Sequence, residues 1–287
     1  MSSGYVAEVA QKGFGEGTNE LYDKARPSYS HQVISYIREC ITNPEPFTIV
    51  EIGSGTGLFT RSLLSHGAFS SSVKELKAVE PSAGMRNFFV KSTVETDPGK
   101  RVSVQEGTFD NTGIEDGAAD LIVMAQAFHW CANAIHEATA KEFARILKPG
   151  GIVVMVWNRE DSDTAAWVAQ IRDLVDSHAT QDQMTSRSGN WKTFFTTPTY
   201  SQLFESPIDK EGWPFSLPAT VGLAIERAMS KSPLAVQSDE GKKKAEDILK
   251  EILKRGDGLK WSDEEMGVFE YPYRTEVVVL RQKERTS

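Results

Sequence analysis

The sequence predicts an α/β fold built on a doubly wound, mostly parallel sheet, and three observations carry that prediction. Apolar, β-branched runs recur along the first 160 residues and alternate with amphipathic segments of helical period. The first run, Phe47–Ile52, shows no polar–apolar alternation, which suits a strand covered on both faces. A glycine-rich turn, residues 53–57, joins that run to the next helical segment, as in open α/β sheets that bind a ligand at the carboxyl ends of their strands.

Taken in order, the first 20 or so residues are small and glycine-rich and read as a lid. Residues 28–41 place Val33, Ile34, Ile37 and Ile41 on one helical face. Pro44 and Pro46 end that helix, because proline disfavours a helical conformation in the residue before it. Strand 47–52 leads through the glycine turn to a helix over 58–66, a second strand over 76–79 and a second helix over 83–93. A third strand over 102–106 and a fourth over 120–125 precede an amphipathic helix over 135–147. Lys148-Pro-Gly-Gly151 halts that helix, and 152–157 is a fifth, strongly apolar strand. Residues 161–265 read as a helical cap with aromatic loops (Trp191, Phe194, Phe195, Tyr200, Trp213 and Phe215). These rings either line an acceptor pocket or fill a core. Strand-like sequence returns at 268–271 and 275–281, with Pro272-Tyr-Arg274 between them, and predicts a hairpin that adds an antiparallel strand. The domain division is therefore 1–160 (lid and ligand-binding core), 161–265 (cap) and 266–287 (strands completing the sheet).

Composition narrows the function. The chain has 287 residues, 32 Lys and Arg against 40 Asp and Glu, and a formal charge of −8. That balance lacks the basic footprint of a nucleic-acid binder. Lys242–Lys244 lie among acidic residues on a helical segment and read as a solvated face. The cysteines, Cys40 and Cys131, suit reduced thiols in an intracellular protein. No apolar run approaches the roughly 18–20 residues needed to span a bilayer, and the first residues do not read as a secretory signal. The expectation is a cytoplasmic protein with neither a membrane nor a nucleic-acid partner; oligomeric state has no sequence signal.

The chemistry centres on Val50-Glu-Ile-Gly-Ser-Gly-Thr-Gly57. Glu80 follows 23 residues later at the end of the second strand, where a carboxylate can accept hydrogen bonds from both hydroxyls of a ribose. The pattern G-x-G-x-G departs from the G-x-G-x-x-G of dinucleotide dehydrogenases, with Leu58 where the third glycine belongs. A phosphate-binding P-loop fits worse, because no G-K-[ST] ending is present.

With these residues the chain resembles the class I S-adenosylmethionine-dependent methyltransferases, type 11 subgroup, whose fold is Rossmann-like: a seven-stranded sheet with an antiparallel C-terminal strand. Glu51, Gly53, Ser54, Gly55, Thr56 and Gly57 match the first motif, and Glu80, Pro81 and Ser82 the acidic second one, with Met85 on the helix that follows. Thr108 and Phe109 match the adenine segment, where the family commonly has Asp at the position of Thr108; Ala125 and Gln126 match the fourth motif. The segment Tyr22-Asp-Lys-Ala-Arg-Pro-Ser-Tyr29 and the run Ala-Phe-His-Trp130 resemble the branch of trans-aconitate and fungal toxin-detoxifying methyltransferases. That resemblance implies S-adenosylmethionine as cofactor, S-adenosylhomocysteine as product, and a small-molecule methyl acceptor at an oxygen or carboxylate. It also implies that Tyr22 and Arg26 close over the cofactor, and it implies no metal. His129, just after the fourth strand, is the leading candidate for a catalytic base, with Asp110 and Glu160 behind it, and positioning of substrate is its other reading. A protein or nucleic-acid methyltransferase and a non-catalytic cofactor-binding partner are the alternatives. No N/D-P-P-Y motif of amino-adenine methylation is present.

Overall fold

A computed structural model describes residues 26–179 and 189–284. The central sheet runs in the order β3-β2-β1-β4-β5-β8-β6. Its strands are β1 Phe47–Ile52, β2 Val73–Val79, β3 Val102–Gln105, β4 Ala119–Ala125, β5 Leu147–Glu160, β6 Ile208–Ala219 and β8 Val268–Arg281. The short β7, Trp261–Asp263, pairs off this path with β8. Strands β3, β2, β1, β4 and β5 are mutually parallel, whereas β8 is antiparallel to both β5 and β6. The strand order reverses direction between β1 and β4, the place where an open α/β sheet opens a crevice at its carboxyl edge.

The burial of β1 and β4 explains why they read so plainly. All six residues of β1 are buried, and so are the first six of β4. Helices cover both faces. On one side Val33, Ile34 and Ile37 of helix His31–Cys40 pack with Phe59 and Leu63 of helix Leu58–Ser65 and Phe89 of helix Ala83–Phe89. On the other, helix His136–Ile146 packs Phe143 and Ile146 against Ile122, Met124 and Met155. No helix of the described residues is long and apolar enough to cross a membrane.

Two features differ from the sequence reading. The C-terminal hairpin is absent, because 268–281 forms one continuous strand through Pro272. The β5–β8 ladder ends at the pair Glu160↔Tyr273, so Pro272 sits one residue beyond it and owes no N–H to that neighbour. Its carbonyl accepts from Asp161 N at 2.9 Å. The second difference concerns residues 161–265. They supply helices Ala166–Ser177, Val221–Met229 and Asp239–Arg255, as the cap reading expects, but also β6 at the sheet edge. Pro214, Pro218 and Gly212 disguise this strand in sequence, and an edge position is where proline is tolerated.

The cap aromatics divide accordingly. Trp191 and Phe194 lie in the short 3₁₀ segment Asn190–Thr196 and are fully buried against the sheet. The Trp191 ring lies 4.5 Å from that of Trp157 on β5, and Phe194 packs edge-on at 5.0 Å to Phe128. Their role is core packing. The expected lid over residues 1–20 and Tyr22 lie outside the described residues.

Candidate active site

The carboxyl ends of β1, β2 and β4 open onto one cavity. Around its rim the chain turns sharply after β1: Gly53 N and Ser54 N both donate to Val79 O, wrapping the loop over the end of β2. Gly53, Gly55 and Gly57 all have positive φ (73°, 55° and 85°). A Cβ on Gly53 would stand 2.6 Å from Ala127 Cβ, and one on Gly57 2.4 Å from Thr93 Oγ1, so packing requires both glycines. Gly55 differs. A Cβ there meets nothing closer than Met85 Sδ at 3.7 Å, because that glycine faces the cavity. Gly57 does not line the cavity; it is the N-cap of helix Leu58–Ser65.

Glu80 organises the loop from below. Its Oε2 accepts Gly55 N at 3.0 Å and its Oε1 accepts Ser82 N at 2.9 Å, while the residue is only 5% exposed. One bond per oxygen leaves lone pairs on both oxygens for a diol. Burial raises its pKa, against the two backbone N–H groups and Arg86, which lower it. Ser82 also caps the next helix, its hydroxyl accepting Met85 N at 3.4 Å. Pro81, Ser82 and Met85 line the same wall.

Two groups in the cavity wall ask for a ligand. Ser54 Oγ is buried and has no hydrogen-bond partner. Glu51 is buried with one neutral donor, the Thr60 hydroxyl. Burial first, opposed by Thr60 and Arg61 and assisted by the charge of Glu80, pushes its carboxyl up to about 8. A carboxylate in that state gains from a cation placed beside it. Thr56 lines the cavity too, and its carbonyl is held by Arg61 at 2.8 Å and by Ser92 at 3.1 Å.

The far wall comes from the loop after β3. Thr108 and Phe109 line it; the Thr108 hydroxyl donates to Asp110 Oδ1 at 2.8 Å, and Phe109 lies edge-on to Phe128 at 5.8 Å. Asp110 is thereby a partner of Thr108. At the end of β4, Ala125 and Gln126 complete the wall. Gln126 takes a left-handed φ of 54°, an uncommon conformation for a residue with a side chain, and its Nε2 donates to Asn158 O at 2.6 Å.

Asn158 ties the N-terminal segment to the sheet. Its Nδ2 donates to Ser28 O at 3.1 Å and its Oδ1 accepts from Thr275 Oγ1 at 2.8 Å. Arg26, next to that anchor, lines the cavity and donates to Ser230 O at 3.3 Å. Sequence reasoning passed over Asn158, although it stands at the carboxyl end of β5, where such sheets place functional groups. It also passed over Arg227 and Lys231, for which the sequence carries no signal.

His129 lies in the 3₁₀ turn Phe128–Trp130, beside the cavity lining and not in it; Trp130 lines it instead. Trp157 Nε1 donates to His129 Nδ1 at 3.3 Å. An indole N–H can only donate, so Nδ1 is unprotonated and the neutral ring carries its hydrogen on Nε2. Burial, then the charges of Arg26, Arg159 and Lys231, drive its pKa down to about 3. His129 therefore presents a hydrogen-bond donor across the neutral range. Glu160, the weaker candidate for a base, ends β5, is buried, and forms an ion pair with Lys231. Burial acts to raise its pKa, and Lys231 and then Arg26 reverse that and lower it.

A switch-point crevice, a glycine loop at positive φ and an acidic residue at the end of β2 define a protein of the open α/β class with its candidate site at the carboxyl edge of the sheet. Comparison with known proteins narrows the class. The methyltransferase domain family matches residues 50–155. The uncharacterized methyltransferase-like protein C25B8.10 of Schizosaccharomyces pombe is 30% identical over 233 residues, 81% of this chain and 83% of that protein. The chain belongs to the methyltransferase family. In fold it is similar to the YcgJ protein of Bacillus subtilis (TM-score 0.54, 17% identity, 89% of this chain and 100% of that one). It is also similar in fold to Haemonchus contortus phosphoethanolamine N-methyltransferase 2, whose structure is a complex with phosphomonomethylethanolamine and S-adenosylhomocysteine (TM-score 0.55, 12% identity, 98% of this chain and 61% of that one).

Proposed function

We propose that the chain transfers a methyl group from S-adenosylmethionine to a small molecule, at an oxygen or a carboxylate, releasing S-adenosylhomocysteine. Glu80 carries this reading: a buried carboxylate at the end of β2, braced by two backbone N–H groups, with one lone pair per oxygen left for the ribose hydroxyls. Glu51 and the unpartnered Ser54 hydroxyl suit the ammonium and carboxylate end of the cofactor, and Met85 with Phe109 suits the adenine. The complex of the Haemonchus contortus enzyme with S-adenosylhomocysteine supports the choice of cofactor.

Bound S-adenosylmethionine supplies an electrophilic methyl on a sulfonium, lost by in-line displacement. The protein's contribution is alignment and exclusion of water, which effective-molarity arguments rate at several kcal/mol. Asn158 holds Pro27 and Ser28 at the edge of the cavity, so that the segment carrying Arg26 closes one side. Gln126 is fixed in its strained conformation with its side-chain amide engaged by β5, which orients it beside the acceptor. His129 enters as a donor from Nε2 that positions the acceptor, since its Nδ1 is already occupied by Trp157.

The test is methyl-labelled S-adenosylmethionine incubated with the protein and, separately, with a metabolite panel, total protein and total RNA. Label in the small-molecule fraction is expected. Label confined to protein or RNA overturns the acceptor class. Calorimetry that finds NAD binding and no S-adenosylhomocysteine binding overturns the cofactor.

A further inference from the structure

A second, narrower pocket shares Arg26, Pro27 and Gln126 with the main cavity and adds Asn158, Glu160, Arg227 and Tyr273. Its distinctive member is Arg227, on helix Val221–Met229, which is only 8% exposed. Neither its Nε nor its Nη1 has a hydrogen-bond partner, and no carboxylate pairs with it among the described residues. Its neighbours are aromatic. The guanidinium carbon lies 5.4 Å from the Tyr271 ring centre, and the neutral Tyr273 hydroxyl is its side-chain hydrogen-bond partner.

The other charges facing this pocket do not cancel Arg227. Glu160, the carboxylate in its lining, is already engaged by Lys231 of the cap. Arg26 adds a further cation from the N-terminal side. Tyr271 and Tyr273 stay neutral, because burial first, then nearby negative or phenolic groups, raise both hydroxyls. Arginine cannot shed its proton to relieve burial, and an unmatched charge in a poorly hydrated place is costly to keep. A ligand anion would complete it.

Resting on the methyltransferase reading, we infer that this pocket receives a carboxylate carried by the methyl acceptor, with Arg227 as its counter-ion. A guanidinium presents a planar fork that matches a planar carboxylate, and the pocket is narrow. A carboxylate ion-paired to a guanidinium is a weakened nucleophile, so it is a handle and not the methylated group. The acceptor is then an acid with a second nucleophilic atom, which reaches the main cavity past Gln126.

The experiment uses the full chain saturated with S-adenosylhomocysteine. Calorimetry measures binding of hydroxy acids and dicarboxylic acids, 4-hydroxybenzoate and succinate among them, each paired with its amide, and of inorganic phosphate. At least one acid should bind at least tenfold more tightly than its amide and than phosphate. Arg227→Met should weaken that acid at least tenfold, Arg227→Lys less, with S-adenosylhomocysteine affinity within twofold of wild type in both. Without ligand, Arg227→Met should melt at or above the wild-type temperature, because it removes a buried unmatched charge; a merely structural arginine would lower it. The inference is overturned if no acid binds, if amides or phosphate bind as well as acids, if Arg227→Met binds acids like wild type, or if both variants melt well below wild type. Failure of wild type to bind S-adenosylhomocysteine at all would instead sink the methyltransferase reading.

Discussion

Replacing Glu80 by alanine tests the cofactor site at its most constrained point. The carboxylate is buried, accepts Gly55 N at 3.0 Å and Ser82 N at 2.9 Å, and on the proposed reading accepts two ribose hydroxyls as well. A hydrogen bond to a charged group contributes about 1.5–3 kcal/mol. Two such bonds at the low end come to about 3 kcal/mol, but burial already makes the charged form of Glu80 costly, as its raised pKa records. The net loss is therefore about 1.4–3 kcal/mol, which is a tenfold to roughly 150-fold rise in Kd. The bared N–H groups of Gly55 and Ser82 face a cavity open to water, so the fold should survive with a small fall in Tm. Calorimetry with S-adenosylhomocysteine and, separately, with adenosine is the assay. Both ligands carry the ribose and should lose the same factor. A folded variant that binds both within twofold of wild type would refute the reasoning and place the ribose elsewhere.

Other perturbations probe other links. Glu51 has a folded pKa of about 8 against an ordinary value of 4.5, so between those values the folded state holds the extra proton and stability falls as pH rises. Glu51→Gln should flatten the decline of Tm between pH 5 and 8, and an unchanged slope would show that Glu51 does not titrate in that window. His129→Ala should lower turnover modestly and equally across pH 6–9, because its pKa of about 3 leaves the ring neutral throughout; a loss that eases steeply as pH rises would mark a base. Trp191→Ala removes a fully buried ring packed against Trp157 and should cost about 3–5 kcal/mol of stability in denaturant unfolding, whereas unchanged stability with altered acceptor affinity would return it to the pocket.

Much of the ligand-binding half was legible in sequence, because its structure is locally encoded. Strands such as β1 and β4 are covered on both faces and so read as unbroken apolar runs. The three glycines at positive φ signal a turn by composition alone, and Glu80 is found by counting along the chain from them. All the proposed cofactor-contact residues within the described chain line the cavity, apart from Gly57, which starts a helix instead.

What the tertiary structure decided is where local preference yields to position. Pro214 and Pro218 argue against a strand until β6 is known to lie at the sheet edge, and Pro272 argues for a break until β5 is known to end one residue before it. Trp191 and Phe194 could be pocket or core by pattern, and only packing against β5 and Phe128 settles them as core. The second pocket is the extreme case. Arg26 and the cap meet across 204 residues of sequence, at the hydrogen bond to Ser230, and Arg227 stands beside them with no carboxylate partner among the described residues. A charge balance among residues so far apart in the chain leaves no local pattern, because it exists only once the sheet has brought them together.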